Sequence, residues 1–256
     1  MKWIIRIVIA LVLLVAAGLW FAWSKLDTLV KMGIESGTPP VVQTSVTVDS
    51  VKLSPFSGTG VIEGFVIGNP KGFTGPRAVR VGRAEVALDT NSVATDKIVI
   101  QHIHITDPEI NLEAGLGGTN LKHIADNAKS FVGQQTGGIS GSGGTAPAAK
   151  DGKPKKDIKL QVNELLITGA KLSASAAGIV PGASANVTLP DIRLTNLGSG
   201  DAGISPAELT AQVLSRLSTE AAKASAGGQL KGLLEGSGAK IEAGGLKDAA
   251  KKLFGK

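Results

Sequence analysis

Two histidines are the residues whose type and spacing come nearest to a chemical site. His102 and His104 lie two apart in a run that alternates apolar and polar residues. Side chains two apart on a β-strand share a face, so the pair could supply two ligands to a metal ion. Zinc needs a third and usually a fourth ligand, and the only other histidine, His123, follows on a different predicted element. The nearest carboxylates, Asp107 and Glu109, flank a turn, so we predict solvent-facing histidines and no metal site.

The sequence offers no other arrangement that catalysis could use. Ser237 and Lys240 have the spacing of a serine–lysine pair, but the glycines around them cannot hold a nucleophile and its base in place. The 256 residues contain no nucleophile-elbow or phosphate-loop motif, and no cysteine. We therefore predict a protein that is not an enzyme and that carries no cofactor.

The composition argues against nucleic acid as a partner. The chain has a net charge of +6, no tyrosine, and an aromatic share of only 4%. Proteins that bind nucleic acid concentrate Lys and Arg on one surface and place aromatic side chains among them for stacking. Here the basic residues are spread along the chain, which indicates solubility or attraction to anionic lipid head groups.

The elements that would position these residues are mostly β-strands. Residues 98–106 have apolar side chains at alternate positions on either side of a polar pair. The same pattern recurs at 46–54, 160–168 and 187–195, and more loosely at 79–86. Five copies predict a sheet built from repeated strands. The polar pair interrupts the alternation. It is either a β-bulge that keeps both apolar pairs on one face, or a change of the buried face.

Turn, capping and low-complexity residues divide the chain into segments. The predicted β-domain, 41–132, holds strands at Val42–Ser54, Gly58–Ile67, Ala78–Asp89, Lys97–Thr106 and Glu109–Ala114, a type I turn at Asn69–Gly72, and a helix at Asn120–Val132. That helix has an apolar stripe formed by Leu121, Ile124, Ala125 and Ala128.

Residues 133–156 are rich in Gly, Ser, Ala and Lys, and predict a disordered linker. Residues 157–198 resume the sheet in about three strands. Residues 205–256 are a helical C-terminal segment that opens with a capping box at Ser205 and Glu208. Its last part, Leu246–Lys256, is amphipathic and would lie on a membrane surface or pack on the sheet.

The first 32 residues predict a membrane anchor and a stalk. Ile7–Trp23 is an uncharged run of 17 residues, and tryptophans stand at positions 3, 20 and 23. That length is at the lower limit for a spanning helix, and tryptophan is typical of the membrane interface. A cleaved signal peptide ending at Ala17 is the alternative, although the apolar run continues beyond that site. Lys2 and Arg6 favour a single-pass topology with the N-terminus inside and the rest of the chain outside.

Residues 86–124 resemble the core of AsmA-like proteins. The likeness is carried by the order of four short motifs: Val86–Asp89, the I-x-I-x-x-I-x-I strand Ile98–Ile105, the P-x-I-x-L strand Pro108–Leu112, and Gly118 before an asparagine that opens a helix. The resemblance implies a protein anchored in the inner membrane with its C-terminal domain in the periplasm. It also implies a curved sheet that holds lipid acyl chains and a role in lipid transport and outer-membrane assembly. The strands around Asn69 are more weakly similar to LEA type 2 domains.

These observations predict a mainly β fold with helices (α+β): an N-terminal transmembrane helix, a curved, mostly antiparallel repeated sheet, and C-terminal helices. Eight aliphatic residues are our candidates for a lipid groove: Val51, Leu53, Ile103, Ile105, Ile110, Leu112, Leu165 and Ile167. Membrane lipids and other envelope proteins are the expected partners. Two alternatives stay open: the aliphatic face packs against the helices as an ordinary core, or the protein is a structural or protein-interaction module of the envelope that uses an exposed sheet edge.

Overall fold

The computed structural model describes residues 25–115, 118–136, 158–175 and 184–226. The predicted anchor up to residue 24, most of the predicted linker (137–156) and the C-terminal stretch 227–256, with Ser237 and Lys240, lie outside the described residues. Among the described helices, none is long and apolar enough to cross a membrane.

The described residues form four α-helices and eleven strands. The helices are α1 (residues 25–37), α2 (Pro39–Val42), α3 (Asn120–Thr136) and α4 (Pro206–Ala226), and a 3-10 turn covers Thr90–Ser92. The strands are β1 (Val46–Thr47), β2 (Ser50–Ser54), β3 (Thr59–Ile67), β4 (Val79–Leu88), β5 (Lys97–Thr106), β6 (Glu109–Gly115), β7 (Gly118–Thr119), β8 (Lys159–Thr168), β9 (Lys171–Ser175), β10 (Ser184–Thr188) and β11 (Ile192–Leu197).

The α+β class and the mostly antiparallel sheet are confirmed. The exceptions are β5 with β8 and β6 with β9, which pair in parallel. A parallel pair needs a long crossover, and α3 together with residues 137–157 supplies one between β6 and β8. The resulting order β10-β9-β6-β4-β5-β8-β11, with β3 on the other side of β4, joins both halves of the chain in one sheet.

Most predicted strand boundaries hold, and three details are wrong. The first predicted strand starts too early, because Val42 is the last residue of α2 and β1 begins only at Val46. Pro39 and Pro40 occupy the first positions of α2, where a residue needs no partner for its N–H group. The predicted type I turn is wrong in place and in type. The N–H of Phe73 donates to the carbonyl of Pro70 at 3.4 Å, so the turn starts one residue later, and Gly72 at its third position takes a positive φ of 94°, as in a type II turn. Residues 158–197 hold four strands rather than three.

A single line of interruptions, here called the break line, crosses the sheet from strand to strand. It runs through Asp49, Gly64, Gly82, Asp107, Gly169 and Pro190. The pairs Glu63↔Arg83 and Phe65↔Val81 place Gly64 opposite Gly82. Backbone hydrogen bonds continue across the interruptions, for example from the N–H of Asp107 to the carbonyl of Thr168 at 2.9 Å. Thus β5 with β6, β8 with β9, and β10 with β11 each act as one long interrupted strand.

The break line changes which side chains of a strand face the core. On β4, Val79 and Val81 reach the core before the line, and Ala84 reaches it after the line. Two core residues of one strand separated by an odd number of positions require such an interruption. In the neighbouring strands, the carboxylates of Asp49 and Asp107 lie where a side chain on Gly64 or Gly169 would stand, so glycine is needed at both positions.

The polar pairs of the five repeats correspond to two different structural features. In the repeats at 46–54, 79–86 and 187–195, the interruption lies on the break line. In β5, Gln101 is an extra residue opposite β4, because Ala87 pairs with His102 while Leu88 pairs with Ile100. This β-bulge keeps Ile100 and Ile103 in the same core. In β8, Val162 and Leu165 are likewise both buried in that core.

Helix α1 covers one edge of the sheet. Asp27, Lys31 and Glu35 are spaced four residues apart and share one face of the helix. The Asp27 carboxylate accepts the N–H of Leu53, the Glu35 carboxylate accepts the N–H of Val48, and Lys31 donates to the carbonyl of Asp49, at 2.9, 2.9 and 3.0 Å. These side chains satisfy backbone groups that an edge strand would otherwise expose.

Helices α3 and α4 cover the apolar face of the sheet. The predicted stripe of α3 is confirmed, since its four residues are all buried in the common core. The predicted capping box opens α4: the N–H of Glu208 donates to the Ser205 hydroxyl at 3.1 Å, and the N–H of Ser205 donates to the Glu208 carboxylate at 2.6 Å. One continuous core therefore lies between the sheet and the two helices.

The break line predicts unequal effects for two neighbouring glycines. Gly64→Ala should lower the free energy of unfolding by about 2 kcal/mol, because Gly64 has a φ of 64° and its new methyl group would meet Asp49. Gly82→Ala is the matched control, since no atom lies within 4 Å of its Cβ position, and it should change stability by less than about 1 kcal/mol. Urea unfolding measures both. Equal losses would show that the close approach of Asp49 and Gly64 does not set the conformation.

Candidate functional site

The structure places six of the eight predicted groove residues in the closed core. Ile110, Leu112, Leu165 and Ile167 are buried, and Ile103 and Ile105 pack against them half-buried. Val51 is buried on β2 outside that core cluster, and Leu53 is half-buried beside Gly60. Because α3 and α4 cover this face, lipid contact by these residues stays a prediction that would require the helices to move.

A groove does open on the helix side of the core, between α3, α4 and β11. Its volume is about 440 Å³, and its lining is mainly apolar. It is lined by Lys129, Leu194, Ala211, Gln212, Ser215, Arg216 and Thr219. The volume falls in the range of small-molecule sites, but the groove is open to solvent along most of its surface, so a bound group would stay partly exposed.

The groove combines an apolar floor with cationic side chains. Leu194 of β11 and Ala211 of α4 provide apolar surface, while Lys129 of α3 and Arg216 of α4 are exposed. Arg216 also contacts Glu220 at 3.2 Å. The hydroxyl oxygen of Ser215 is buried and has no hydrogen-bond partner among the described residues. Sequence analysis missed this groove, because its residues come from three elements and no local pattern unites them.

A second polar cluster surrounds the carboxylate of Glu113 on β6. The carboxylate accepts the N–H groups of Thr74 and Gly75, both at 2.8 Å, and the Thr74 hydroxyl at 2.9 Å. Burial raises the pKa of Glu113, but these donors outweigh it and hold the pKa below its ordinary value. The cluster ties the loop between β3 and β4 to β6.

Asn120 connects this cluster to the start of α3. Its side chain is fully buried, at 0% exposure. The side-chain oxygen accepts the N–H groups of Glu113 and Leu121 at 2.9 and 2.8 Å, and the amide nitrogen donates to Asn69 and to the carbonyl of Asn111, both at 2.7 Å. All four hydrogen-bonding positions of the Asn120 side chain are thus used within the fold.

The histidine pair lies on the sheet face opposite the core. The rings of His102 and His104 stack with centroids 4.6 Å apart, and both residues are half-buried. His102 pairs across the strands with Glu164, and His104 pairs with Glu85. In the described part of the chain, no three or more His, Cys, Asp or Glu residues are grouped so that they could hold a metal ion.

Comparisons of the chain with protein-family models, with curated proteins and with solved structures found no match. The likeness to AsmA-like proteins therefore rests on the motifs between residues 86 and 124. Two residues of these motifs have a structural role in the fold. Pro108 directly follows Asp107 of the break line, and Gly118, two residues before the buried Asn120, takes a φ of 119° that favours glycine.

The Ile105→Asp variant tests whether this face of the sheet is an ordinary core or is lined by lipid. Because Ile105 packs against the core, the new carboxylate should lower the free energy of unfolding by about 3 kcal/mol or more. Thermal unfolding followed by circular dichroism measures this loss. Thr106→Asp, on the exposed neighbouring position, is the control and should be tolerated. An Ile105→Asp variant that melts like the parent but carries less lipid would instead assign this face to lipid.

The Glu113 cluster predicts acid sensitivity with a defined sign. The folded-state pKa of Glu113 is depressed. The stabilisation by its carboxylate is therefore fully present above the unfolded-state pKa of about 4.3, and it is lost as the pH falls through the folded-state pKa. Glu113→Gln should cost about 2 kcal/mol at neutral pH and flatten the pH dependence of stability below pH ~5.

The control for this measurement is Glu85→Gln, which lies on the exposed face of β4. The pKa of Glu63 is also lowered, by hydrogen bonds from Lys52 and Ser50, but the contact with Lys52 is exposed and is weakened by salt. Urea titrations at high ionic strength therefore reduce the contribution of Glu63, and the difference between the Glu113→Gln and Glu85→Gln variants reports on Glu113. An unchanged acid limb in Glu113→Gln would contradict the assignment.

Proposed function

We propose that the protein is a membrane-anchored lipid-handling protein of the cell envelope, without catalytic activity, that faces the periplasm from the inner membrane. The observation that carries this proposal is the groove between α3, α4 and β11. An acyl chain on the Leu194 and Ala211 surface gains about 0.8 kcal/mol per buried CH₂ group. Lys129 and Arg216 suit an anionic head group, which would compete with Glu220 for the guanidinium.

The anchoring part of the proposal rests on the sequence before α1. The uncharged run Ile7–Trp23 ends two residues before Lys25, the first described residue of α1. Three charged residues of α1 hydrogen-bond to β2 and to the two residues between β1 and β2, so the helix is held against this edge of the sheet. A helix that leads out of a membrane and is fixed in this way would hold the β-domain at a set height and orientation. The AsmA-like motifs support the same compartment and class of cargo.

A protein-interaction module is the second candidate, and one observation favours it. Leu29 and Met32 lie three residues apart on α1 and are 61% and 58% exposed. Neighbouring apolar side chains on one helix face are a common contact surface for a partner helix. In that case the groove would carry no lipid.

Filling the groove distinguishes the two candidates. Ser215→Phe puts an aromatic ring into the groove, and we expect several-fold less phospholipid to co-purify with the full-length protein. Ser218→Phe is the matched control, because Ser218 lies on α4 but does not line the groove. Mass spectrometry of extracted lipid, with melting curves to confirm folding, measures the effect. Equal lipid in both variants, or none in the parent protein, would favour the protein-interaction module.

A further inference from the structure

Exposed apolar side chains gather at one end of the sheet. In the described part of the chain, the large hydrophobic residues that are exposed outside α1 are Phe56, Val93 and Ile158, at 82%, 55% and 55%. They are far apart in sequence and belong to the β2–β3 turn, the β4–β5 connection and the start of β8. Single exposed apolar residues are common on protein surfaces, so their meaning depends on where the fold places them.

The strand pairing brings the three segments to the same end. The N–H of Leu88, which leads into the β4–β5 connection, donates to the carbonyl of Gly58 in the β2–β3 turn at 2.7 Å. Lys97 pairs with Lys159, the residue after Ile158. We call the set of turns formed by residues 55–58, 89–96, 158 and 198–203 the loop end. The last of these belongs to it because the Lys97 ammonium donates to the carbonyl of Gly200 at 3.3 Å.

The chain also enters the domain at the loop end. Helix α1 runs antiparallel to the segment from Val48 to Leu53, since Asp27 bonds to Leu53 whereas Glu35 bonds to Val48. The N-terminal end of α1 therefore lies beside the end of β2 that leads to Phe56. The uncharged run that ends at Trp23 joins the domain at this point.

We infer that the loop end is a membrane-contacting surface, with Phe56, Val93 and Ile158 inserted into the lipid surface beside the anchor. The strands then stand away from the bilayer, and the turn between β3 and β4 points into the aqueous phase. This inference rests on the anchoring part of the proposed function, not on the groove.

Apolar burial, rather than charge, drives this contact. The loop end contains aspartates at positions 89, 96 and 201, and lysines at positions 97 and 159 directly adjoin it. Opposite charges of similar number give little net attraction to anionic lipid, whereas the burial of a large apolar side chain is favourable and is not screened by salt. The contact should therefore persist at high ionic strength and on zwitterionic lipid.

The absence of cysteine allows a direct test in the full-length protein. Phe56→Cys, Val93→Cys and Ile158→Cys are each labelled with an environment-sensitive fluorophore and reconstituted into vesicles of phosphatidylethanolamine and phosphatidylglycerol. Lys71→Cys, exposed in the turn at the other end of β3, is the matched control. We expect blue-shifted emission and several-fold stronger quenching by brominated acyl chains at the three loop-end positions than at position 71, in low and high salt.

The outcomes separate this inference from the anchor itself. Protein that floats with the vesicles while all four labels are quenched alike would overturn the membrane-contacting loop end and leave the anchor intact. Quenching that disappears in high salt would overturn the apolar mechanism. Protein that does not float with the vesicles would overturn the anchoring part of the proposed function and this inference with it.

Discussion

The break line is the constraint on which the rest of the structure depends. It crosses the sheet where Asp49 lies over Gly64 and Asp107 lies over Gly169, and at each crossing only a glycine leaves room for the carboxylate. The interruption changes the buried parity of the strands, so apolar residues on both sides of the line reach the same core. Without it, half of each long strand would turn its aliphatic side chains to solvent.

The two helices that complete this core are fixed in different ways. The start of α3 is held by Asn120, whose amide bonds to β6 and to the β3–β4 loop in a fully buried position. The start of α4 is held by its own capping box and by the pair of hydrogen bonds between the backbones of Leu160 and Ile204. Buried, fully bonded polar groups favour one arrangement over its alternatives, so Asn120 specifies where α3 starts.

This packing changes how a lipid-handling role has to be understood. The aliphatic sheet face is occupied by the protein's own helices, so a bound chain would lie on the helix side, against Leu194 and Ala211. The opposite sheet face carries polar and charged ladders such as Lys52–Glu63 and Arg193–Glu164, which suit water. Among the described residues, the large apolar side chains that are exposed lie on α1 and at the loop end, where the chain enters. The proposed groove and the proposed membrane contact are therefore separate surfaces of one domain.

The sequence by itself determined the α+β class, the limits of strand Lys97–Thr106, the stripe of α3 and the start of α4. These features depend on side-chain periodicity and on hydrogen bonds between residues three apart, which a local pattern records. Only the tertiary structure decided between a bulge at Gln101 and a change of face at Asp49, and only it buried the predicted groove residues under helices. It alone brought Glu113 to Thr74, 39 residues away, because contacts between distant segments leave no periodic signal in the chain.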